Sequence, residues 1–327
     1  MNSSSTHTIL VVKSVYERVT EIFESLSDLD CIPVSADEQV LSNKIKAADP
    51  VAVVLDVDRY MDRLYEAMTD QMLIARFGVG CDGIDFNKAS SNNLIVTNTP
   101  GVLEATVAEF TVFLAGEVLR MPGLSSNDLK QGHWTTHMGR ELHGKTWAIL
   151  GLGGIGRKVS QILSFGFNVK VHATKKDITD KEQIKHRYGV ELLSTAFENV
   201  APKADIISLH MPANKQTHHF MDRKRLQQLK PGAILINTAR GALVDEEALY
   251  DLLKSGHIAA AGLDVFEKEP YQPIDKKKDL RELPNVFMTP HIASSATECM
   301  RRMAQRVVQN IRLFIRGEHH KMDIVEK

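Results

Sequence analysis

Several charged side chains in the second half of the chain stand at the ends of apolar stretches, and their types suit proton transfer and anion binding. Arg240 follows "GAILINTA", "GLDVFEKEP" supplies Asp264, Glu267 and Glu269, and His291 ends "NVFMTPH". Histidine exchanges protons near neutral pH, and a nearby carboxylate raises its proton affinity and orients its ring. The pattern predicts an acid–base pair of His291 with one of these carboxylates. Arg240 has the geometry to bind a carboxylate through two hydrogen bonds, although taken alone it equally fits a surface ion pair.

A glycine-rich turn precedes these residues. The stretch "ILGLGGIGRKV" stands between an apolar strand candidate and a helix candidate. Two glycines permit a tight turn and a close approach of pyrophosphate to the chain, and the last lets the helix pack closely on the strand. The pattern predicts a dinucleotide-binding turn, with another ligand or a purely structural turn as the alternative. Its members are Gly151, Gly153, Gly154, Ile155 and Gly156.

The next strand candidate ends in an unusual way for such a turn. Where NAD-binding units usually carry Asp or Glu for the adenosine ribose, "NVKVHATKKD" places Thr174, Lys175 and Lys176. A hydroxyl and two ammonium groups suit the 2′-phosphate of NADP, which a carboxylate would repel. The pattern therefore favours NADP(H). In the alternative reading the lysines belong to a solvated loop, and Asp177 or a backbone group serves NAD(H).

The elements that position these residues form two series of short apolar runs alternating with amphipathic stretches, which predicts an α/β fold with parallel sheets covered on both faces. The first series predicts five strands and the second predicts six, as expected of a Rossmann-type unit. The strand candidates of the two series are "TILVVK", "DCIPVS", "VAVVLD", "QMLIARFG" and "LIVTNTP", then "TWAILG", "NVKVHA", "ADIISLHM", "GAILINTA", "HIAAAGLDV" and "NVFMTPH". In the first series, the amphipathic stretches "VYERVTEIFESL" and "EQVLSNKIKAA" each predict one helix.

The order of the series predicts a discontinuous domain arrangement. A long helix candidate follows the last strand, and we expect it to pack back on the first series. Residues 1–102 with 293–327 then form a substrate-binding domain, and residues 103–292 form a dinucleotide-binding domain. Two crossings between domains are typical of a hinge beside a cleft.

Composition excludes several classes. With 327 residues, 43% hydrophobic and 25% charged content and a formal net charge of −1, the chain has no basic field for nucleic acid or membranes. Its three cysteines form no CxxC motif, so neither a disulfide framework nor a metal site is expected. We expect no signal peptide and no membrane span, a loose tail over residues 1–6, and a cytoplasmic location.

Five motifs together resemble the D-isomer-specific 2-hydroxyacid dehydrogenase family. They are "NTPGVLEATVAEF", "GLGGIG", "INTARGALVDEEAL", "GLDVFEKEP" and "TPHIASSAT", and they occur in that family's order and spacing. The resemblance implies a Rossmann-type nucleotide-binding domain inserted into a flavodoxin-like substrate domain. It also implies a homodimer built around the helix after "NTPG".

The resemblance also implies roles for individual residues. His291 would be the acid/base, Glu269 its partner, and Arg240 the group that binds the 2-oxo acid. Asp264 would orient the nicotinamide. Two further sets follow in the same way: Val79 and Gly80, whose main-chain amides would receive the substrate carboxylate, and His210, Thr238 and Ala239, which would line the cofactor.

Two departures from the family pattern bear on specificity. Thr174 replaces the usual Asp, and Leu103 stands where many members carry Asn after "NTPG", which is similar to glyoxylate and hydroxypyruvate reductases. We therefore expect an NADPH-dependent reductase that converts glyoxylate or hydroxypyruvate to the D-2-hydroxy acid. One alternative is an NAD-dependent dehydrogenase of another D-2-hydroxy acid, for example a substrate similar to 3-phosphoglycerate. The other is a dinucleotide-sensing binding protein that resembles a corepressor.

Overall fold

The computed structural model describes residues 6–70 and 72–325, and the chain divides into two compact units. Unit 1 comprises Met1–Leu103 and Ser295–Lys327, and unit 2 comprises Glu104–Ser294. Of the tail predicted for residues 1–6, residues 1–5 lie outside the described part of the chain.

Unit 1 contains a parallel sheet of five strands in the order β2-β1-β3-β4-β5, which is the order of flavodoxin-like folds. Continuous apolar runs form its centre, since all four residues of its third strand are buried. A parallel strand covered on both faces has this composition. The strands are β1 (His7–Val12), β2 (Leu29–Val34), β3 (Ala52–Leu55), β4 (Leu73–Arg76) and β5 (Ile95–Thr97).

Helices from both ends of the chain belong to unit 1. They are α1 (Lys13–Tyr16), α2 (Thr20–Glu24), α3 (Glu38–Ala48), α4 (Arg63–Ala67), α5 (Phe86–Ser91) and the C-terminal α13 (Thr297–Ile315), with a short 3-10 turn at His319–Lys321. The single helix expected over "VYERVTEIFESL" is wrong in detail, because α1 and α2 replace it. Val19 between them has φ −145° and is buried, so tertiary packing outweighs the local helical pattern there.

Unit 2 contains a parallel sheet of seven strands in the order β12-β11-β10-β9-β6-β7-β8. The first six in chain order have the Rossmann arrangement 3-2-1-4-5-6, with β12 added at the edge. The strands are β6 (Thr146–Leu150), β7 (Lys170–Thr174), β8 (Val190–Ser194), β9 (Ile206–Leu209), β10 (Ala233–Asn237), β11 (Ile258–Leu263) and β12 (Val286–Met288).

The predicted count of six strands in unit 2 is therefore wrong by one. The strand that the apolar pattern missed is β8, "VELLS", which lies at the sheet edge and buries only two of its five residues. An edge strand needs few apolar residues, so its signal in the sequence is weak.

Helices cover both faces of the unit 2 sheet and enclose a hydrophobic core on each side. The helices are α6 (Glu104–Arg120), α7 (Pro122–Lys130), α8 (Gly154–Gln161), α9 (Lys181–Tyr188), α10 (Phe197–Val200), α11 (Arg223–Gln228) and α12 (Glu246–Lys254), with a π-helical turn at Ile162–Gly166 and 3-10 turns at Gly241–Leu243 and Leu280–Glu282. The predicted α/β class is confirmed. Within residues 6–70 and 72–325, none of the helices combines the length and apolar character needed to cross a membrane.

Candidate functional site

The register of the unit 2 sheet aligns the strand ends that carry the predicted residues. Leu150 pairs with Thr174 and with Leu209, and Leu209 pairs with Asn237. Along the same line, Asn237 pairs with Leu263, which pairs with Met288. Because the strands are parallel, the segments after these residues all emerge on the side of the sheet where the strands end. Ligands of such sheets bind at these carboxyl-terminal ends. Thr174 stands at this line, and the segments after it contain Gly151, His210, Arg240, Asp264 and His291.

The glycine turn has the geometry that a bound dinucleotide needs. Gly151 has φ +108°, and a Cβ there would lie 2.6 Å from the carbonyl oxygen of His210. A Cβ on Gly156 would lie 2.2 Å from the carbonyl oxygen of Gly151, so helix α8 packs directly on the turn. A Cβ on Gly153 would meet nothing within 4 Å, so open space remains beside the N-terminus of α8. These residues fit a pyrophosphate, which would use the main-chain amides of the exposed Gly153 and Gly154 and of the partly buried Ile155.

The end of β7 lies next to the same turn. The Thr174 hydroxyl accepts a hydrogen bond from the Gly151 amide at 3.1 Å, and the Thr174 carbonyl accepts one from Leu152 at 2.8 Å. The Lys175 ammonium donates to the carbonyl oxygen of Asp177 at 2.6 Å, and Lys176 is exposed. The end of β7 therefore carries one hydroxyl and two ammonium groups beside the glycine turn.

The surroundings of His210 disfavour its charged form. Its Nε2 lies 2.9 Å from the Ser208 hydroxyl, which accepts a hydrogen bond from Trp147 Nε1 at 2.8 Å. Burial lowers the pKa of His210 to about 3. Since Ser208 is fully buried, its proton needs an acceptor, and His210 Nε2 provides it. The neutral ring then carries its proton on Nδ1.

The segment after β10 is fixed by two internal contacts. The Asn237 amide donates to the carbonyl oxygen of Arg240 at 2.8 Å and accepts from the amide of Ala239 at 3.0 Å. The Thr238 hydroxyl lies 2.8 Å from that of Thr111 on α6, which itself donates to a main-chain carbonyl. Thr238 is therefore the donor of that contact. These contacts hold the main chain of the turn that carries Arg240, and the Arg240 guanidinium donates to the carbonyl oxygen of Ala239 at 2.6 Å.

Glu269 and His291 form the closest side-chain pair among the predicted residues. Glu269 Oε2 lies 2.7 Å from His291 Nδ1, and about a third of each side chain is exposed. Glu269 Oε1 accepts from the amide of Phe266 at 2.9 Å. Burial raises the pKa of Glu269, but the hydrogen bond and charge of His291, the Phe266 amide and the charge of Arg240 together lower it below its usual range. Of the three carboxylates that residue types alone left open, the one that the structure pairs with His291 is Glu269, which the family resemblance implied.

Asp264 holds the loop that carries His291. It is 0% exposed, and its carboxylate accepts from the Thr289 hydroxyl at 2.6 Å and from the amides of Ile292 and Ala293 at 2.8 and 2.9 Å. The Asp264 carbonyl accepts from the amide of His291, which has φ +53°. Burial raises the pKa of Asp264 against these hydrogen bonds. Its observed contacts are therefore with the His291 loop, and the predicted contact with nicotinamide stays a prediction.

The residues predicted to receive the substrate carboxylate lie in unit 1. Val79 is exposed, and its carbonyl accepts from Asn98 Nδ2 at 2.9 Å. The Gly80 carbonyl accepts from the buried guanidinium of Arg76 at 2.8 Å, and Arg76 also donates to the carbonyl of Phe77. No sequence motif indicates a role for Arg76. Leu103, also in unit 1, is buried at 8% exposure.

Glu246 lies near this site, although no sequence motif indicated that it belongs there. It lies at the start of α12, is 6% exposed, and accepts a hydrogen bond from the amide of Glu267 at 2.7 Å. Burial, with the charges of Glu267 and Glu269, raises its pKa to about 7. In the sequence, "VDEEAL" indicates only the start of a helix, with Asp245 as the N-cap. These residue types give no signal that Glu246 is buried.

A glycine turn at the strand-order switch of a parallel sheet, with a carboxylate–imidazole pair at the same edge, defines a Rossmann-type dinucleotide-dependent enzyme. The protein-family model described as "D-isomer specific 2-hydroxyacid dehydrogenase, NAD binding domain" matches residues 113–293 of the sequence. The chain belongs to the D-isomer specific 2-hydroxyacid dehydrogenase family and is an NAD(P)-dependent oxidoreductase. The family predicted from the motifs is confirmed.

Three relatives illustrate this similarity. A glyoxylate reductase of Korarchaeum cryptofilum is 34% identical over 95% of this chain and 93% of its own length. A D-3-phosphoglycerate dehydrogenase of Methanocaldococcus jannaschii is 36% identical over 95% of this chain, which spans 58% of that relative. The crystal structure of an NADPH-dependent glyoxylate/hydroxypyruvate reductase from Sinorhizobium meliloti with NADP and malonate has a TM-score of 0.81 and 29% identity, covering 95% of this chain and 94% of that one.

Proposed function

We propose that the protein reduces a small 2-oxo acid, glyoxylate or hydroxypyruvate, to the D-2-hydroxy acid with NADPH. The observation that carries this proposal is the 2.7 Å contact between Glu269 Oε2 and His291 Nδ1 at the edge of the sheet that carries the glycine turn. Reduction of a carbonyl needs a proton donor as well as a hydride donor, and this pair is suited to supply the proton. The relatives named as glyoxylate reductases support the substrate class.

The proposed proton donor is the second ring nitrogen of His291. Glu269 occupies Nδ1, so Nε2 is the atom that gives its proton to the forming alkoxide. The lowered pKa of Glu269 keeps that carboxylate ionised and therefore able to support the imidazolium. Bound between the glycine turn and this pair, reduced nicotinamide would supply the hydride for the carbonyl carbon.

Arg240 is proposed to bind the oxo acid and to stabilise the negative charge that develops on the carbonyl oxygen. Asn237 holds the turn that carries Arg240, and the charge of the Arg240 guanidinium helps to lower the pKa of Glu269. Fixed donors of this kind contribute roughly 3–4 kcal/mol to transition-state stabilisation. The amides at Val79 and Gly80 are proposed to receive the substrate carboxylate, and Leu103 to shape the pocket.

NADPH is the proposed cofactor because of the groups at the end of β7. Thr174, Lys175 and Lys176 offer one hydroxyl and two ammonium groups to a 2′-phosphate. Asp264, His210, Thr238 and Ala239 keep their proposed places along the cofactor. The competing proposal is an NAD-dependent dehydrogenase of another 2-hydroxy acid. The similarity to a D-3-phosphoglycerate dehydrogenase favours it, and so does the engagement of Lys175 with the Asp177 carbonyl.

A homodimer built on α6, α7 and the loop after them is also proposed. This part of unit 2 exposes large apolar side chains, with Phe113 at 70%, Trp134 at 88% and Met138 at 95% exposure. Exposed apolar groups of this size are typical of protein–protein contacts. Analytical ultracentrifugation should give twice the chain mass, and Phe113→Asp should lower it. The free cysteines Cys31, Cys81 and Cys299 suit a reducing compartment and support the proposed cytoplasmic location.

The deciding experiment is a panel of 2-oxo acids assayed separately with NADPH and NADH. We expect glyoxylate and hydroxypyruvate with NADPH to give the highest kcat/KM. His291→Ala should lose most of kcat, and Arg240→Ala should lose both kcat and substrate affinity. His143→Ala, which removes an exposed imidazole elsewhere in unit 2, is the matched control. Near-normal turnover in the His291 or Arg240 variant would remove the proposed site.

A further inference from the structure

Glu246 is a buried carboxyl group that the mechanism above does not use. Its Oε1 accepts the amide proton of Glu267, whereas Oε2 is buried and has no hydrogen-bond partner within residues 6–70 and 72–325. Burying a carboxyl group with one oxygen unpaired costs free energy. Burying Glu246 therefore costs more folding free energy than burying an apolar side chain. The contacts that the carboxyl group makes indicate its role.

The peptide between Phe266 and Glu267 is held from two sides by the segment that follows Arg240. On one side, a Cβ placed on Gly241 would lie 1.8 Å from the carbonyl carbon of Phe266, so the two backbones touch. On the other side, the Glu246 carboxyl accepts the amide proton of Glu267 at 2.7 Å. Both contacts join the Arg240 turn to the loop that carries Glu269.

The same loop passes this restraint on to the acid–base pair. The amide of Phe266 donates to Glu269 Oε1 at 2.9 Å, and Glu269 Oε2 contacts His291 at 2.7 Å. A displacement of the Phe266–Glu267 peptide therefore moves the carboxylate that orients the imidazole. Glu246 has no described contact with His291, so any effect on the pair passes through this loop.

Several titratable groups face Glu246 from the segments around it. Glu267 and Glu269 are on the loop, Tyr271 follows them, and His219 contacts the Glu267 carboxylate at 3.1 Å. The two carboxylates add to the burial that raises the pKa of Glu246 to about 7, and His219 works against them. The neighbouring helix α11 directs Arg223 to Asp251 of α12 at 2.6 Å, and β11 contributes no charged residue.

We propose that Glu246 is a positioning residue that keeps the Arg240 turn and the Glu269 loop together and adjusts the charge beside the acid–base pair. This inference rests on the proposed function, since it assigns Glu246 a role in that reaction. Neutral Glu246 accepts the Glu267 amide without adding charge. Once ionised, it places a third carboxylate near Glu269 and stabilises the protonated form of the Glu269–His291 pair.

Two substitutions separate the hydrogen bond from the charge. Glu246→Gln keeps an acceptor for the Glu267 amide but cannot ionise, and Glu246→Ala removes both. We expect the Gln variant to keep kcat within about threefold at pH 6, while the Ala variant loses about 10- to 100-fold, the size of effect that small misplacements of catalytic groups produce. KM for NADPH should change little in either. Glu247→Gln, on the next residue of α12, is the matched control for loss of one charge.

The pH profile tests the charge. We expect the alkaline limb of kcat/KM for 2-oxo acid reduction to move to lower pH in Glu246→Gln by about half a unit or more, because the anion that stabilises the protonated pair is absent. An unmoved limb would reject the role of the charge. Full kcat in Glu246→Ala, or an equal loss in the Gln and Ala variants, would reject the positioning role.

Hydrogen–deuterium exchange keeps this test independent of the assigned reaction. The segment 266–269 should exchange faster in Glu246→Ala than in Glu246→Gln and wild type, whichever substrate the enzyme uses. If the wild type reduces no 2-oxo acid but the exchange difference is present, the proposed function fails while the restraint on the loop stands. If the exchange is equal in all three proteins, the positioning proposal fails by itself. Circular dichroism and NADPH binding identify any variant that does not fold.

Discussion

Replacing Glu246 by glutamine should stabilise the protein increasingly as the pH rises from 5 to 8. In the folded chain, burial is the largest cause that raises the pKa of Glu246 from 4.5 to about 7. In the unfolded chain the same carboxyl titrates near its ordinary value. Between these two values the folded state binds more protons than the unfolded state, so the free energy of unfolding falls with rising pH.

The size of this effect follows from the two pKa values. The pKa of Glu246 changes from 4.5 to about 7, and each unit corresponds to about 1.4 kcal/mol, so wild type should lose about 3 kcal/mol of stability from this group. The loss begins near pH 4.5 and is complete above about pH 7. Glutamine cannot ionise, so the variant avoids the loss. If glutamine makes a weaker or stronger hydrogen bond, the free energy of unfolding of the variant changes by the same amount at every pH. This change therefore does not alter the pH dependence of the difference between variant and wild type.

The assay is urea unfolding of wild type and Glu246→Gln at four pH values between 5 and 8, followed by tryptophan fluorescence. Both tryptophans, the fully buried Trp147 and the exposed Trp134, are in unit 2 with Glu246, so the signal reports the relevant unit. Glu247→Gln is again the matched control. A difference between variant and wild type that does not change with pH would refute the reasoning. It would mean that the positive end of α12 stabilises the carboxylate enough to cancel burial.

Three further outcomes are expected. The triple change of Thr174 to Asp and of Lys175 and Lys176 to Gln should reverse the NADPH/NADH ratio of kcat/KM, because the new carboxylate repels a 2′-phosphate and the two cations are gone; an unchanged ratio would reject the phosphate pocket. Gly241→Ala should lower kcat by at least about 100-fold, because its Cβ would lie 1.8 Å from the Phe266 carbonyl carbon, whereas Gly166→Ala, with nothing within 4 Å of the added Cβ, serves as the control. Asp264→Asn should cost about 1–3 kcal/mol in chemical unfolding and lower kcat, because an amide cannot accept all three hydrogen bonds from the His291 loop; wild-type stability would contradict this.

The elements of both sheets were largely predictable from local sequence. Apolar runs such as "VAVVLD" are long enough and dense enough to indicate buried parallel strands wherever the chain places them. The helix over Glu38–Ala48 was predicted with its observed bounds, and Asp37 caps it through the Val40 amide. Where burial is partial or the pattern is interrupted, prediction failed: β8 was missed, and one predicted helix is two.

The residues of the candidate site were predictable, but the path of the chain that brings them together was not. Residue types alone left three carboxylates open as the partner of His291, and only the family resemblance implied Glu269. The choice of Glu269 depends on how the loop after β11 folds back over 22 residues to meet the loop after β12. That path is set by contacts such as Gly241 against Phe266 and Asp264 against Ala293, which no local pattern encodes.

By itself, then, the sequence determined which segments become strands and helices, the glycine turn that suits a dinucleotide, and the family to which the chain belongs. Only the tertiary structure decided how the chain brings Glu269 to the imidazole, that Asp264 holds the His291 loop, and that Glu246 is buried against the amide of Glu267. The physical reason is that propensity and periodicity act over a few residues, whereas burial and hydrogen-bond partners depend on which distant segments pack together.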